Sequence, residues 1–126
     1  MVMSLVQVAA GGALGASARY LTSVGAVRLM GPGFPWATLA VNILGSFLMG
    51  AIVVILMQKG GMRLAPFLMT GVLGGFTTFS AFSLDAVTIW ERGQVSLAVI
   101  YVLASVLLSL AALIAAMWAL RAFYQQ

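Results

Sequence analysis

The chain of 126 residues contains no histidine and no cysteine, and it carries only six basic and two acidic side chains. Without imidazole or thiol groups it cannot form the usual zinc sites or disulfides, or use histidine bases or cysteine nucleophiles. One Asp and one Glu leave little for acid–base catalysis, so we do not expect an enzyme. The net charge of +4 comes from basic residues scattered singly, so we expect no nucleic-acid partner.

Charged residues make up 6% of the sequence and hydrophobic residues 63%. A soluble domain typically has about 25% charged residues. Because so few charges cannot give a hydrated surface, the apolar majority is expected to face lipid. The sequence therefore predicts an integral membrane protein of one domain.

Four apolar segments, separated by glycine-containing turns with most of the charges, follow one another along the chain. Each has the ~20 residues that a helix needs to cross the hydrocarbon layer. No basic residue precedes the first segment, so we expect a retained helix rather than a secretory signal. We predict an all-α membrane protein, a single four-helix transmembrane domain over residues 1–126. Its segments are Ser4–Val27, Trp36–Met57, Leu64–Trp90 and Val95–Leu120.

The basic residues outside the helices give almost no preferred orientation. With a cytoplasmic N-terminus, Lys59, Arg63 and Arg121 lie on the cytoplasmic side, and Arg28 and Arg92 lie on the other. This difference is too small for the positive-inside rule to choose a direction. Two interpretations stay open: a single orientation in spite of the weak bias, or dual topology with an antiparallel homodimer.

Thr38 and Asn42 are polar residues of the second segment, four positions apart and so on one helical face. The Asn42 amide offers two N–H donors, as an anion would need. The alternative is a hydrogen bond between helices, which is a common use of intramembrane Asn.

The centre of the third segment, residues 71–83, is its least lipid-like part. The pair Gly74 and Gly75, followed by the β-branched Thr77 and Thr78, makes a weak helix centre. We predict a break there, which would free backbone carbonyls for a hard cation such as Na⁺. The alternative is close helix packing through Gly71 and Gly75.

Phe79 and Phe82 share a face of the third segment, beside Ser80 and Ser83. A Phe ring has a positive edge, which can stabilise an anion without a formal charge. The alternative is an ordinary position in the core or against lipid.

Tyr101, Ser105 and Ser109 repeat every four residues in the last segment and form a hydroxyl stripe ~12 Å long. This spacing favours a polar-lined path, although each serine could instead bond back to a carbonyl of its own helix. Arg19 and Asp85 are the charges inside segments. They could pair or could each reach the interface separately, and we favour a structural role for both.

Three stretches carry a specific pattern: residues 74–83 (GGFTTFSAFS), 41–47 (VNILGSF) and 15–20 (GASARY). Together they resemble the Fluc family of small bacterial fluoride channels. The similarity extends over nearly the whole chain. It implies an antiparallel, dual-topology homodimer in the bacterial inner membrane, with two pores that export fluoride passively.

The resemblance also implies a role for each candidate site residue. The fluoride pore would be formed by Phe79, Phe82, Asn42, Ser80, Thr38, Tyr101, Ser105 and Ser109. The backbone carbonyls of Gly74 and Thr77, from both subunits, would hold a structural Na⁺ at the dimer centre.

Two other functions stay open. A proton-coupled exporter of similar size needs a carboxylate deep in a span, yet the first segment has none and Asp85 lies toward an end of the third. A scaffold subunit held together by Asn42 and the glycines would conduct no ions.

Overall fold

The computed structural model covers residues 1–126 and consists of helices joined by short turns. Helix α1 spans Val2–Met30 and helix α2 spans Trp36–Lys59, after which comes a short 3-10 turn at Met62–Leu64. Helix α3 is π-helical over Pro66–Leu73 and ends in one α-helical turn, Gly74–Phe76. Helix α4 spans Phe79–Glu91, and helix α5 spans Val95–Tyr124.

The turns lie where the sequence predicts them. Helix α1 is followed by Gly31 at φ 78°, α2 by Gly60 at φ 68°, and α4 by a turn containing Gly93 at φ 83°. Gly60 adopts the left-handed conformation that often terminates helices, and its N–H bonds to the carbonyl of Leu56. Glycine is the residue that adopts positive φ at no steric cost, so these positions end the helices.

Three stretches, rather than four, are long and apolar enough to cross a membrane by length and composition. They are Trp36–Lys59, Met62–Glu91 and Val95–Tyr124. Helix α1 has 29 residues, which is sufficient length, but it includes Gln7, Arg19 and several glycines and serines. The prediction of four spans is therefore confirmed for three segments, and the first is a long helix of weaker apolar character.

Helices α1 and α3 pack backbone to backbone. A Cβ atom built on Gly71 would lie 2.9 Å from the Gly11 Cα, and one on Gly75 would lie 2.8 Å from the Gly12 carbonyl oxygen. Only the absence of side chains permits such an approach. The close-packing role of Gly71 and Gly75 is thus present, and its partners are glycines of α1.

The third apolar segment is interrupted at Thr77 and Thr78. Both residues are extended, with ψ 157° at Thr77 and φ −152° at Thr78, whereas Gly74 is helical at φ −63° and ψ −35°. The predicted interruption exists, and within the predicted stretch it falls at the two threonines rather than at the glycine pair. Gly75 is held in the helical packing against α1, and β-branched residues favour the extended conformation.

Candidate functional site

Asn42 stabilises the interruption between α3 and α4 from the facing helix α2. Its Oδ1 accepts the Thr78 N–H at 2.8 Å, and its Nδ2 donates to the Thr78 carbonyl at 3.0 Å. The side-chain amide therefore replaces both helical hydrogen bonds that Thr78 loses by being extended. This satisfies buried backbone groups that would otherwise be costly. One N–H of the Asn42 amide is left for another acceptor.

The Gly74 and Thr77 carbonyls are among those that lose their helical donors at the interruption. In a continuous helix the N–H of Thr78 would bond to the Gly74 carbonyl, and that of Ala81 to the Thr77 carbonyl. The first donates instead to Asn42, and the second donates to Thr78 Oγ1 at 3.2 Å. The Thr77 carbonyl accepts no hydrogen bond within the chain.

A cavity of about 350 Å³ lies between α2, the interruption and α5, and we call it the central cavity. Its lining contains no charged side chain. The Phe79 and Phe82 rings stand edge to face with centroids 5.5 Å apart. Phe82 is 8% exposed, and Phe79 is 77% exposed at the surface of the chain. The predicted site residues in this lining are Asn42, Thr77, Phe79, Phe82, Ser105 and Ser109.

The hydroxyl oxygens of Ser105 and Ser109 are buried in the wall of the central cavity and have no hydrogen-bond partner in the chain. They do not bond back to their own helix. Ser83, by contrast, donates to the Phe79 carbonyl at 3.0 Å and lies outside the cavity lining. Since a buried hydroxyl without a partner costs free energy, the two serines are suited to a ligand that accepts hydrogen bonds.

A second cavity, of about 240 Å³, lies beside the loop between α1 and α2, and we call it the loop cavity. Thr38 and Asp85 line it, together with Phe34 from the loop and Arg92 from the end of α4. Of the predicted pore residues, Thr38 therefore lines the loop cavity and not the central cavity.

Tyr101 is fully buried at the head of the hydroxyl stripe. Its ring packs on Phe82, which lines the central cavity, and on Phe34, which lines the loop cavity, with centroids 5.4 Å away in both cases. Its hydroxyl donates to Asp85 Oδ2 at 3.2 Å. The phenol thus stands between the two cavities.

Ser80 and Arg19 lie outside both cavity linings. Ser80 is exposed, with its hydroxyl 3.4 Å from Thr78 Oγ1. Arg19 and Asp85 take different partners, because Arg19 Nε donates to the Gly75 carbonyl at 3.1 Å while Asp85 accepts from Tyr101. Neither alternative for these charges holds, because the two groups do not pair and each bonds inside the protein instead of reaching the interface.

Comparison with known proteins identifies the family. Residues 6–117 match the family described as "CrcB-like protein, Camphor Resistance (CrcB)". The chain belongs to this family. A relative from Cereibacter sphaeroides named "Fluoride-specific ion channel FluC" is 69% identical over 121 residues, covering 96% of this chain and 97% of the relative. Relatives of the same name from Paracoccus denitrificans and Agrobacterium fabrum are 58% identical over 115 residues and 52% over 116 residues. The alignment with the Paracoccus relative covers 91% of this chain and 92% of the relative, and the alignment with the Agrobacterium relative covers 90% and 93%.

The family assignment made from the three sequence stretches is therefore confirmed. The relatives are named as ion channels, so the expectation that the chain is not an enzyme is confirmed as well.

Sequence reasoning missed two parts of the site. Gly11 and Gly15 of α1 contact the backbone of α3, and their spacing of four on one helix could have indicated this contact. Phe34 contacts Tyr101, but an aromatic residue between Gly33 and Pro35 gives only the signal of a turn.

Proposed function

We propose that this protein is a fluoride-selective channel that exports fluoride passively from the bacterial cytoplasm. The observation that carries the proposal is the pair of buried, unpartnered hydroxyls of Ser105 and Ser109. They share one cavity with the Asn42 amide and the Phe79 and Phe82 rings. The relatives that match nearly the whole chain are named fluoride-specific ion channels.

The central cavity has the chemistry that conduction of a small anion requires. Hydroxyls, an amide N–H and ring edges are neutral groups that present partial positive charge. They can replace part of the hydration shell of fluoride without holding it as a fixed cation would. The cavity lining contains no carboxylate, which a proton-coupled exporter would need. Flux is therefore expected to follow the fluoride gradient.

The assembly that we propose is an antiparallel homodimer with two pores in the inner membrane, each chain crossing it four times. The nearly even distribution of basic residues supports insertion in both orientations. Phe79 is 77% exposed at the mouth of the central cavity, so a partner chain could complete the wall there. Helix α1 would form the fourth span because it packs along α3 at backbone distance.

We further propose a structural Na⁺ between the two interruptions. The Thr77 carbonyl has no hydrogen bond and the Gly74 carbonyl has lost its helical donor, and such oxygens suit a hard cation. Exchange of Na⁺ for N-methylglucamine is expected to lower the apparent Tm of the purified protein, followed by tryptophan fluorescence. An apparent Tm equal in both media would contradict the cation site.

Fluoride efflux from liposomes that contain the purified chain tests the function. The wild type is expected to release fluoride and retain chloride. The Ser105→Ala/Ser109→Ala double variant is expected to conduct at least about tenfold less, because a hydrogen bond to a charged group contributes about 1.5–3 kcal/mol and about 1.4 kcal/mol corresponds to a factor of ten. Its apparent Tm is expected to stay unchanged or rise, since two unpaired buried hydroxyls are removed. Phe82→Ile is expected to lower flux as well, by removing the ring edge.

Ser83→Ala is the matched control, because this hydroxyl is satisfied by its own helix outside the cavity lining. It is expected to keep wild-type flux. A double variant that conducts like the wild type would show that the ion does not meet the two serines. A folded wild-type protein without flux above empty liposomes would favour the scaffold function, and flux that requires a proton gradient would favour the exporter.

A further inference from the structure

Phe34 lies in the loop between α1 and α2, yet its ring packs into the interior of the protein. It packs against a buried cluster formed by Phe82, Ile89, Ala98 and Tyr101. Its contact with Tyr101 is nearly perpendicular, at 88° between the ring planes. This is the edge-to-face arrangement that aromatic pairs prefer.

The backbone of the loop holds this ring in place. Pro35 has φ −78° and ψ 65°, and the Trp36 N–H donates to the Phe34 carbonyl at 2.8 Å. These values define an inverse γ-turn, which the fixed φ of proline favours. The Trp36 ring also packs on Phe34, with centroids 4.6 Å apart. Phe34 is therefore constrained on both its backbone and its ring, although it belongs to no helix.

The Tyr101 hydroxyl could point along the stripe toward Ser105 or toward the loop cavity, and in the structure it points toward the loop cavity. Its hydroxyl heads the stripe that continues with Ser105, but it donates to Asp85 Oδ2 on the side of the loop cavity. The phenol ring lies between Phe34 on one side and Phe82 on the other. If Phe34 were smaller, the ring would have free space on the side of the loop cavity, which Phe34 lines.

We propose that Phe34 is a positioning residue of the ion path, which holds the Tyr101 phenol between the two cavities with its hydroxyl on Asp85. The inference rests on the proposed channel function. Because the phenol donates its one proton to Asp85, it acts on the ion by holding that carboxylate in place and not as a donor to fluoride. Phe34 itself supplies no polar group and acts through Tyr101.

Phe34→Leu is expected to lower fluoride efflux by about tenfold, because an Asp85 carboxylate that loses the phenol as its donor repels the anion more strongly. Phe34→Tyr keeps an aromatic ring at this position and is expected to conduct like the wild type. In a Tyr101→Phe background, where no hydroxyl is left to orient, Phe34→Leu is expected to add less than about a twofold change. Phe123→Leu is the matched control, because that ring is exposed at the end of α5.

A second measurement follows the carboxylate directly. Asp85 is the only aspartate in the chain, so labelling with ¹³C-aspartate gives one carboxylate band in isotope-edited infrared spectra. Phe34→Leu is expected to shift this band in the same direction as Tyr101→Phe. Phe34→Met serves in the same way if Phe34→Leu folds poorly.

An Asp85 band that stays at its wild-type position in the folded Phe34 variants would overturn the proposal. A tenfold loss of flux that persists unchanged in the Tyr101→Phe background would overturn it too, because Phe34 would then act independently of the phenol. Absence of flux in the wild type would instead reject the channel function. The two failures are thus distinguished by the infrared band, which does not depend on conduction.

Discussion

Asn42→Asp is expected to reduce fluoride efflux by at least about a hundredfold in a protein that still folds. Aspartate has nearly the shape of asparagine and keeps an oxygen for the Thr78 N–H, which Asn42 accepts at 2.8 Å. It loses the donor to the Thr78 carbonyl, which is 3.0 Å from the Asn42 Nδ2. The interruption thus retains one of its two supports, and the cavity gains a negative charge.

The charge dominates the expected effect. Two unit charges 4 Å apart repel by about 4 kcal/mol at an effective dielectric constant of about 20. Because about 1.4 kcal/mol corresponds to a factor of ten, even half of this repulsion would reduce the occupancy of the cavity by fluoride more than tenfold. The Thr78 carbonyl, left without its donor, adds the cost of an unsatisfied buried group, about 1–3 kcal/mol, and this cost falls on folding stability rather than on the occupancy of the cavity by fluoride.

Gln58→Glu is the matched control. It makes the same amide-to-carboxylate change on the same helix, but at an exposed position near the end of α2 and outside the cavity lining. It is expected to keep wild-type efflux. If folded Asn42→Asp protein conducted within threefold of the wild type, the ion path would have to avoid the Asn42 side chain, and the central cavity would not be the pore.

Local sequence patterns were sufficient to predict where the helices begin and end. The apolar runs and the glycines between them placed α2 and α5 within a few residues, because Gly60 and Gly93 adopt positive φ, which other residues avoid. The apolar character of α1 was overestimated, since its length is sufficient but its glycines and polar residues weaken it as a lipid-facing span.

The position of the interruption could not be predicted from the third segment alone. Propensity points to Gly74 and Gly75, but the backbone departs from the helix two residues later. The deciding contacts come from outside the segment, because α1 packs on Gly75 and Asn42 of α2 bonds to Thr78. Tertiary contacts therefore override helix propensity at this point.

The hydroxyl stripe shows the opposite case. Spacing alone placed Ser105 and Ser109 on one face of α5, and the structure places both at the same cavity. Spacing could not show whether each hydroxyl bonds back to its own helix, since that depends on the local geometry of the oxygen. Phe34 lay beyond prediction for a similar reason, because a loop residue has no periodicity that indicates which core it contacts.

Gly15→Ala is expected to prevent stable folding, since it would force α1 away from α3. A Cβ atom at Gly15 would collide with the Val72 carbonyl oxygen and would lie 2.8 Å from the Phe76 backbone nitrogen. These are backbone atoms of a helix and cannot rotate away as a side chain could. Overpacking of a core costs about 1–3 kcal/mol when side chains can adjust, so a collision with backbone is expected to cost more.

The matched control is Gly12→Ala, three positions earlier on the same helix, because a Cβ there would meet nothing within 4 Å. Alanine is up to about 1 kcal/mol more favourable than glycine inside a helix, so this variant is expected to keep or raise the apparent Tm in detergent. Gly15→Ala is expected to aggregate or to melt well below the wild type. Equal apparent Tm values for the two variants would contradict the backbone contact between α1 and α3. That contact lies beside Gly75, whose carbonyl accepts a hydrogen bond from Arg19 Nε at 3.1 Å. Equal Tm values would therefore also contradict the inference that α1 supports the interruption.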